Sequence, residues 1–340
     1  MASLSDKIFV IPPGLPLSDW GSFVETVAQH PLNWVPLFFV VITVIRHILE
    51  QLFFVPMAKR CVKSEGIKRI IFINKFKGDG AKTIYYILTT SLSWTQLFSI
   101  PSDRRWVFHV ERVWEGFEEQ TFPDFIYFMY SLQLGFYVHL LVYHFIEPKN
   151  KDFVEMLVHH IATIFLICYS WAQGCMNVGY LILALHDFAD VFVGPTKMAN
   201  FAGWPKSTVL GFVLLVSSWL ATRLVYFPFW VVRSCMVDYY HLVVKRGLAS
   251  LTQWALFNAF LSVLVVLHVY WFYCFVAIMV SAIRDNQVHD AVYSENTGIP
   301  AEALADEADL RAPGCAGALA GDEAVAMVEE VEAARKRRLG

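Results

Sequence analysis

The chain has 340 residues, 56% hydrophobic and 17% charged, with a mean hydropathy of +0.48 and a formal net charge of −3. A soluble domain averages nearer 45–50% apolar and about 25% charged, so this composition describes a polytopic membrane protein. The near-neutral charge, with basic residues spread over loops, gives no sign of nucleic-acid binding.

Residues 1–31 contain IFVIPPGLPL, in which prolines interrupt any cleavable apolar core, so the first membrane helix is expected to act as an uncleaved insertion signal. Seven apolar runs are long enough to cross a bilayer as helices: 32–55, 81–100, 125–146, 153–173, 176–193, 207–232 and 254–283. They divide the chain into an N-terminal segment (1–31), a first transmembrane helix (32–58), a basic loop (59–80), an all-α bundle of spans enclosing a polar cavity (81–283) and a tail (284–340). The six cysteines (Cys61, Cys168, Cys175, Cys235, Cys274 and Cys315) show no CxxC spacing and are read as small apolar fillers.

Lys and Arg in short loops set orientation. The first loop carries Lys59, Arg60, Lys63, Lys68, Arg69, Lys75, Lys77 and Lys82, the third Lys149 and Lys151, and the fifth Lys197 and Lys206. The second loop offsets Arg104, Arg105 and Arg112 with five acidic residues, and the connection around Gly174 carries no charge. The sixth, with Arg233, Lys245 and Arg246, fits this pattern less well. A lumenal N-terminus and a cytosolic C-terminus are therefore expected. The tail is rich in Ala, Gly, Asp and Glu, reads as disordered, and ends in Lys336, Arg337 and Arg338, which resemble a basic endoplasmic-reticulum retrieval signal.

The chemistry concentrates between Asp152 and Phe201. His159 and His160 lie inside the fourth apolar run, and His186, Asp187 and Asp190 inside the fifth. A charged group at mid-bilayer costs roughly 2.5–3.5 kcal/mol, so such residues face a cavity or one another. Residues three and four apart share a helix face, so His159 with Thr163, His186 with Asp190, and Asp187 with Asp190 are expected to converge. At 1.5 Å per residue, His159, His160 and His186 sit about 10 Å inside the cytosolic ends of two adjacent helices. Elsewhere, Arg46 and Glu50 are spaced as a packing ion pair, and Pro56 is expected to end or kink that helix. Arg223 precedes an aromatic, proline-containing stretch that reads as an interfacial anchor, although Arg223 could also meet an anionic group. His268, lone in the seventh run, reads as an interhelical partner.

These residues together resemble a ceramide synthase of the TLC-domain superfamily. The resemblance runs through Arg46, Glu50 and Pro56, then Lys151, Asp152, Phe153, His159, His160 and Thr163. It continues with Ser170, Gly179, Leu185, His186, Asp187, Asp190, Lys197 and Asn200, and then with Thr222, Arg223, Phe227, Pro228, Asn258, Leu267, His268 and Trp271. The chain departs from the family's usual Arg at Asn177 and its usual Glu at Gly194, and the first loop is too short for the homeobox-like insertion of some animal relatives.

The resemblance implies an endoplasmic-reticulum enzyme that transfers a fatty acyl chain from acyl-CoA to the amine of a sphingoid base. Its partners would be those two substrates and the bilayer, with no cofactor beyond acyl-CoA as co-substrate; a homo- or hetero-dimer is compatible with the sequence but not specified by it. His159, His160, His186, Asp187 and Asp190 are the catalytic candidates, and Thr163, Lys197, Asn200, Arg223 and His268 the substrate-binding ones. Chain-length selectivity would involve residues 233–253. The residues support this chemistry on their own terms, since a protonated amine must lose a proton before it attacks a thioester, and imidazole titrates in the right range. One imidazole either deprotonates the amine directly or first takes the acyl group as an acyl-histidine, with Asp187 or Asp190 fixing its tautomer. Two other readings use the same residues. One is a non-catalytic lipid-binding or transport protein, in which the polar set locks helices together. The other is a metal enzyme ligated by the histidines and aspartates, against which stands the lack of repeated HxxxH and HxxHH boxes.

Overall fold

The computed structural model describes residues 31–101, 105–118, 122–147 and 152–285. Within them the chain forms seven long helices: α1 Val35–Cys61, α2 Gly66–Ser99, α3 Asp124–Ile146, α4 Phe153–Ala172, α5 Met176–Phe201, α6 Pro205–Val244 and α7 Leu251–Asp285. All but α2 are long and apolar enough throughout to cross a membrane. At about 50 Å, α2 is longer than a bilayer core, and it combines a basic first half with the apolar run from Ala81 expected to cross. Large apolar side chains such as Val40, Val44, Ile48 and Leu52 on α1 and Val266, Val269 and Tyr273 on α7 face outward. A surface this greasy belongs in lipid, and the chain is a multi-pass membrane protein.

Several boundaries differ from those expected. The 59–80 loop is mostly helix: only 62–65 connects α1 to α2, so Lys68, Arg69, Lys75, Lys77 and Lys82 ride on α2. The fifth span runs eight residues past Val193, through Pro195, and carries Lys197 on helix. The sixth continues to Val244, leaving 245–250 as the connection where a longer loop was expected. Pro56 does not end α1. A wide turn at Glu50–Phe54, where the Val55 N–H reaches the Glu50 carbonyl, precedes it, and a similar widened stretch, Leu220–Val232, surrounds Pro228 in α6. Both absorb a residue that cannot donate a backbone hydrogen bond. Arg104, Lys149, Lys151, residues 1–30 and residues 286–340 with Cys315 lie outside the described residues.

Tight turns fix which helices are neighbours. Gly174, at φ 71°, ends α4: its N–H reaches the Trp171 carbonyl at 3.1 Å and the Cys175 N–H reaches that of Ser170 at 2.7 Å. This Schellman closure folds α5 back along α4. Gly203 repeats it at the end of α5. Small residues then admit close helix contacts. Gly194 on α5 lies against Thr83 and the Asp79 carbonyl of α2, and Gly135 on α3 lies against Phe38 and Phe39 of α1.

Candidate functional site

Hydrogen-bond geometry orders the deepest part of the bundle. His186 Nδ1 lies 2.7 Å from the Ile182 carbonyl one turn back on α5, so it carries the proton and donates. His186 Nε2 lies 3.2 Å from Nε2 of His268 on α7. A neutral His186 must therefore accept there, and His268 donates. The single expected interhelical role of His268 has a definite partner, and Trp219 of α6 closes the group by donating to the His268 carbonyl at 3.2 Å.

Arg223 on α6 is buried, not interfacial. Its Nη2 donates to Asp190 Oδ1 at 2.7 Å and to the His186 carbonyl at 2.8 Å, with the guanidinium 4.0 Å from the Trp219 ring centroid. The anionic group it meets is a carboxylate of the protein. This occupies Asp190, so the expected orientation of a reacting imidazole by Asp190 is replaced by an ion pair. Asp187 turns to another helix: Gln133 of α3 donates to its carboxylate, and Tyr85 of α2 bonds the same Gln133 at 3.1 Å. Neither aspartate is hydrogen-bonded to a histidine ring.

His159 and His160 point different ways, as successive helix residues must. The His159 ring packs 5.4 Å from Trp271 and 6.5 Å from Tyr137, within electrostatic reach of His186 and Arg223. The His160 ring lies 5.6 Å from His144 and within electrostatic reach of Lys82. Both are buried, and Nδ1 of each lacks a hydrogen-bond partner. Nδ1 of His268, the ring bonded to His186, is likewise buried without a partner, as are Thr163 Oγ1 and Arg223 Nε.

The structure thus links His186, Asp190, Arg223 and His268 in one bonded cluster with the His159 ring in its electrostatic reach, while Thr163 lines a cavity with His186, His160 packs toward His144, and Asp187 bonds Gln133. Lys197 and Asn200 lie two to three turns along α5 toward the end of the bundle rich in lysine, where the Asn200 amide Nδ2 is buried without a partner. The reading from residues alone missed Tyr137, Gln133 and Tyr85. Polar and aromatic residues are too common in apolar runs to stand out, but Tyr137 lies four residues from Gln133 on one face of α3, a spacing that could have found them.

A second buried network ties α1 to α2 and α3 at the lysine-rich end. Arg46 bonds Glu50 at 2.7 Å, as its spacing implied, and also Glu147, while Lys82 reaches Glu147 at 3.3 Å and Lys77 reaches Glu50 at 3.5 Å. Burial would raise the Glu147 pKa, but Lys82 and Arg46 outweigh it and hold the carboxyl at about 2. Lys75, outside the apolar half of α2, is pushed down to about 8 by burial and by Lys197. The two lysines therefore lie close enough to repel.

From His186 a narrow apolar cavity runs away from that end, between α3, α4, α5 and α7. On α4 its lining extends from Thr163 to Ser170 and on α5 from His186 to Gly179; on α3 it runs from Tyr137 to Tyr130 and on α7 from Leu264 to Phe257. Each pair is seven residues apart, so the cavity is about two helical turns, or 10 Å, long. It is polar at the His186 end and greasy along its length. Among the described residues no three His, Cys, Asp or Glu side chains converge as a ligand set for a metal ion.

The molecule is a helical membrane protein with buried imidazoles and an ion pair beside a narrow, mostly apolar cavity. The family model described as TLC domain matches residues 75–277, and the chain belongs to the TLC-domain family. It is 30% identical to ceramide synthase 1 LOH3 of Arabidopsis thaliana over 283 residues, covering 77% of this chain and 90% of that protein. Ceramide synthase 5 of Mus musculus is 31% identical over 64% of this chain and 50% of its own length. Ceramide synthase hyl-1 of Caenorhabditis elegans is 40% identical over 39% of this chain and 36% of its own.

Proposed function

We propose that this chain is a ceramide synthase, transferring a fatty acyl group from acyl-CoA to the amine of a sphingoid base and releasing CoA. The observation that carries this reading is the position of His159: its unpaired Nδ1 lies one helical turn above Thr163, at the head of an apolar cavity. An acyl chain in the cavity would present its thioester carbonyl at that level. Acyl-CoA would enter from the lysine-rich end, which would face the cytosol if the basic loops follow the positive-inside pattern in an endoplasmic-reticulum membrane. Its nucleotide portion would stay there, beside Lys75, Lys82 and Lys197.

His159 and His160 are the reacting candidates, because His186 has both ring nitrogens engaged. One imidazole attacks the thioester carbon, the C–S bond breaks, and the CoA thiolate takes a proton. The free amine then attacks the acyl-imidazole, forming the amide and returning the imidazole. In the direct alternative the same nitrogen removes the amine proton as the amine attacks the thioester. The buried site would protect an acyl-enzyme from water. The His186–His268 pair and Arg223–Asp190 act as a fixed polar wall, with Tyr137 and Asp187–Gln133 opposite.

Membranes expressing the chain, given labelled sphingoid base and acyl-CoA, should form labelled ceramide, and His159→Ala and His160→Ala membranes should lose at least about a hundredfold of that rate. Ceramide formation at the wild-type rate by both variants would instead favour a lipid-binding role for the site. Mass spectrometry of protein incubated with acyl-CoA alone separates the two routes: an acyl adduct on a histidine supports the covalent one, and none under trapping conditions supports the direct one.

A further inference from the structure

The cavity has a closed end as well as a head. There the Tyr130 hydroxyl donates to the Met176 carbonyl at 3.0 Å and lies 3.1 Å from Ser170 Oγ, so the phenol is pinned across the gap between α3 and the α4–α5 hairpin. Gly179 makes this possible, since a Cβ there would collide with the Tyr130 hydroxyl and crowd Ser170 Oγ. Phe257 completes the floor. The space beyond it is filled: Tyr239 lies 6.3 Å from Phe257 and stacks on Trp114 at 4.6 Å, and all four aromatic residues are buried. A chain entering from the histidine end therefore stops at the Tyr130 ring.

We infer that Tyr130, held by Ser170 and Met176 and admitted by Gly179, is the stop for the far end of the bound acyl chain and sets the longest chain accepted. This rests on the acyl-transfer reading above. It places the limit on chain length at a floor built by α3, α4, α5 and α7. The physical basis is that each methylene moved from water into an apolar cavity favours binding about fourfold, until one meets a packed wall that does not yield. Efficiency should climb with chain length and then fall sharply at one length.

The test gives membranes sphingoid base and an equimolar panel of saturated acyl-CoAs of increasing length, and reads the ratio of long to short ceramides. Tyr130→Ala removes the stop and should raise that ratio, by roughly fifteenfold if two more methylenes are admitted. Leu183→Phe, between His186 and Gly179 on α5, fills the middle of the cavity and should lower it. Shifts in these opposite directions support the assignment. If Tyr130→Ala does not fold, the Leu183→Phe ratio decides. Ceramide formation with an unmoved ratio overturns the floor while leaving acyl transfer intact, and absence of any ceramide from the wild type overturns the acyl-transfer reading and this inference with it. A purely structural role for Tyr130 would lower all products together, which counts against it as a stop.

Discussion

Nε2 of His268 stands 3.2 Å from Nε2 of His186, and because His186 Nδ1 donates to Ile182, the proton between the rings belongs to His268 when both are neutral. The pair bridges α5 and α7 under the Trp219 indole. It fixes the His186 ring by its two nitrogens, whereas Nδ1 of His159, of His160 and of His268 itself has no hydrogen-bond partner.

A difference in kinetics between His159 and His268 follows. His159 would touch the reacting atoms, whereas His268 acts through His186. Replacing His159 with Ala should lower kcat at least about a hundredfold. His268→Ala should lower kcat only about tenfold with KM for acyl-CoA nearly unchanged, because a positioning interaction is lost but the cavity is not. Steady-state kinetics on solubilised protein would read the split, and equal losses in both variants would refute the division of roles.

The Arg223–Asp190 pair is deeply buried, with side-chain exposures of 4% and 19%. Removing one partner leaves the other charge unpaired, which costs about 3–5 kcal/mol, while removing both is far milder. Arg223→Ala should therefore lower the thermal midpoint in detergent sharply, and adding Asp190→Ala should recover much of the loss. Additive losses in the double variant would mean that the two do not act as a pair.

The spacing of polar groups along each helix was legible in the sequence; the partners across helices were not. His159 with Thr163, and Arg46 with Glu50, lie on shared faces because helix geometry dictates it. His186 and Asp190 also share a face, yet Asp190 is claimed by Arg223, a residue whose proline-containing aromatic neighbourhood resembles an interfacial belt. Nothing local to Arg223 reveals that α6 turns it inward, since that depends on how α5 and α6 pack. The long α2 was obscured for a related reason: its lysines have the composition of a loop but continue the helix as far back as Gly66. The TLC-domain resemblance, by contrast, needed only residue identities at fixed spacing, and the family match agrees with it.

Gly194 shows how a missing side chain permits close packing. A Cβ there would come 2.8 Å from the Asp79 carbonyl and would also overlap Thr83, so the α2–α5 contact depends on a missing side chain. Gly194→Ala should destabilise the protein by about 1–3 kcal/mol, read as a lower thermal midpoint. Adding Thr83→Ala should not restore it, because the backbone carbonyl remains in the way. Full rescue by that second change would mean that the side chain alone sets the limit.

Glu147 links α3 to α1 and α2 through Arg46 and Lys82, and its pKa is held at about 2, below the ordinary value of 4.5. A carboxyl with a depressed folded-state pKa contributes stability that is fully present above the unfolded value and is lost as pH falls through the folded one. This contribution should therefore be intact above about pH 4.5 and disappear between there and about pH 2. Glu147→Gln should lower the thermal midpoint at neutral pH and flatten its fall across that acid window. Curves for the wild type and the Glu147→Gln variant that stay parallel from neutral to acid pH would show that the carboxylate does not couple these helices.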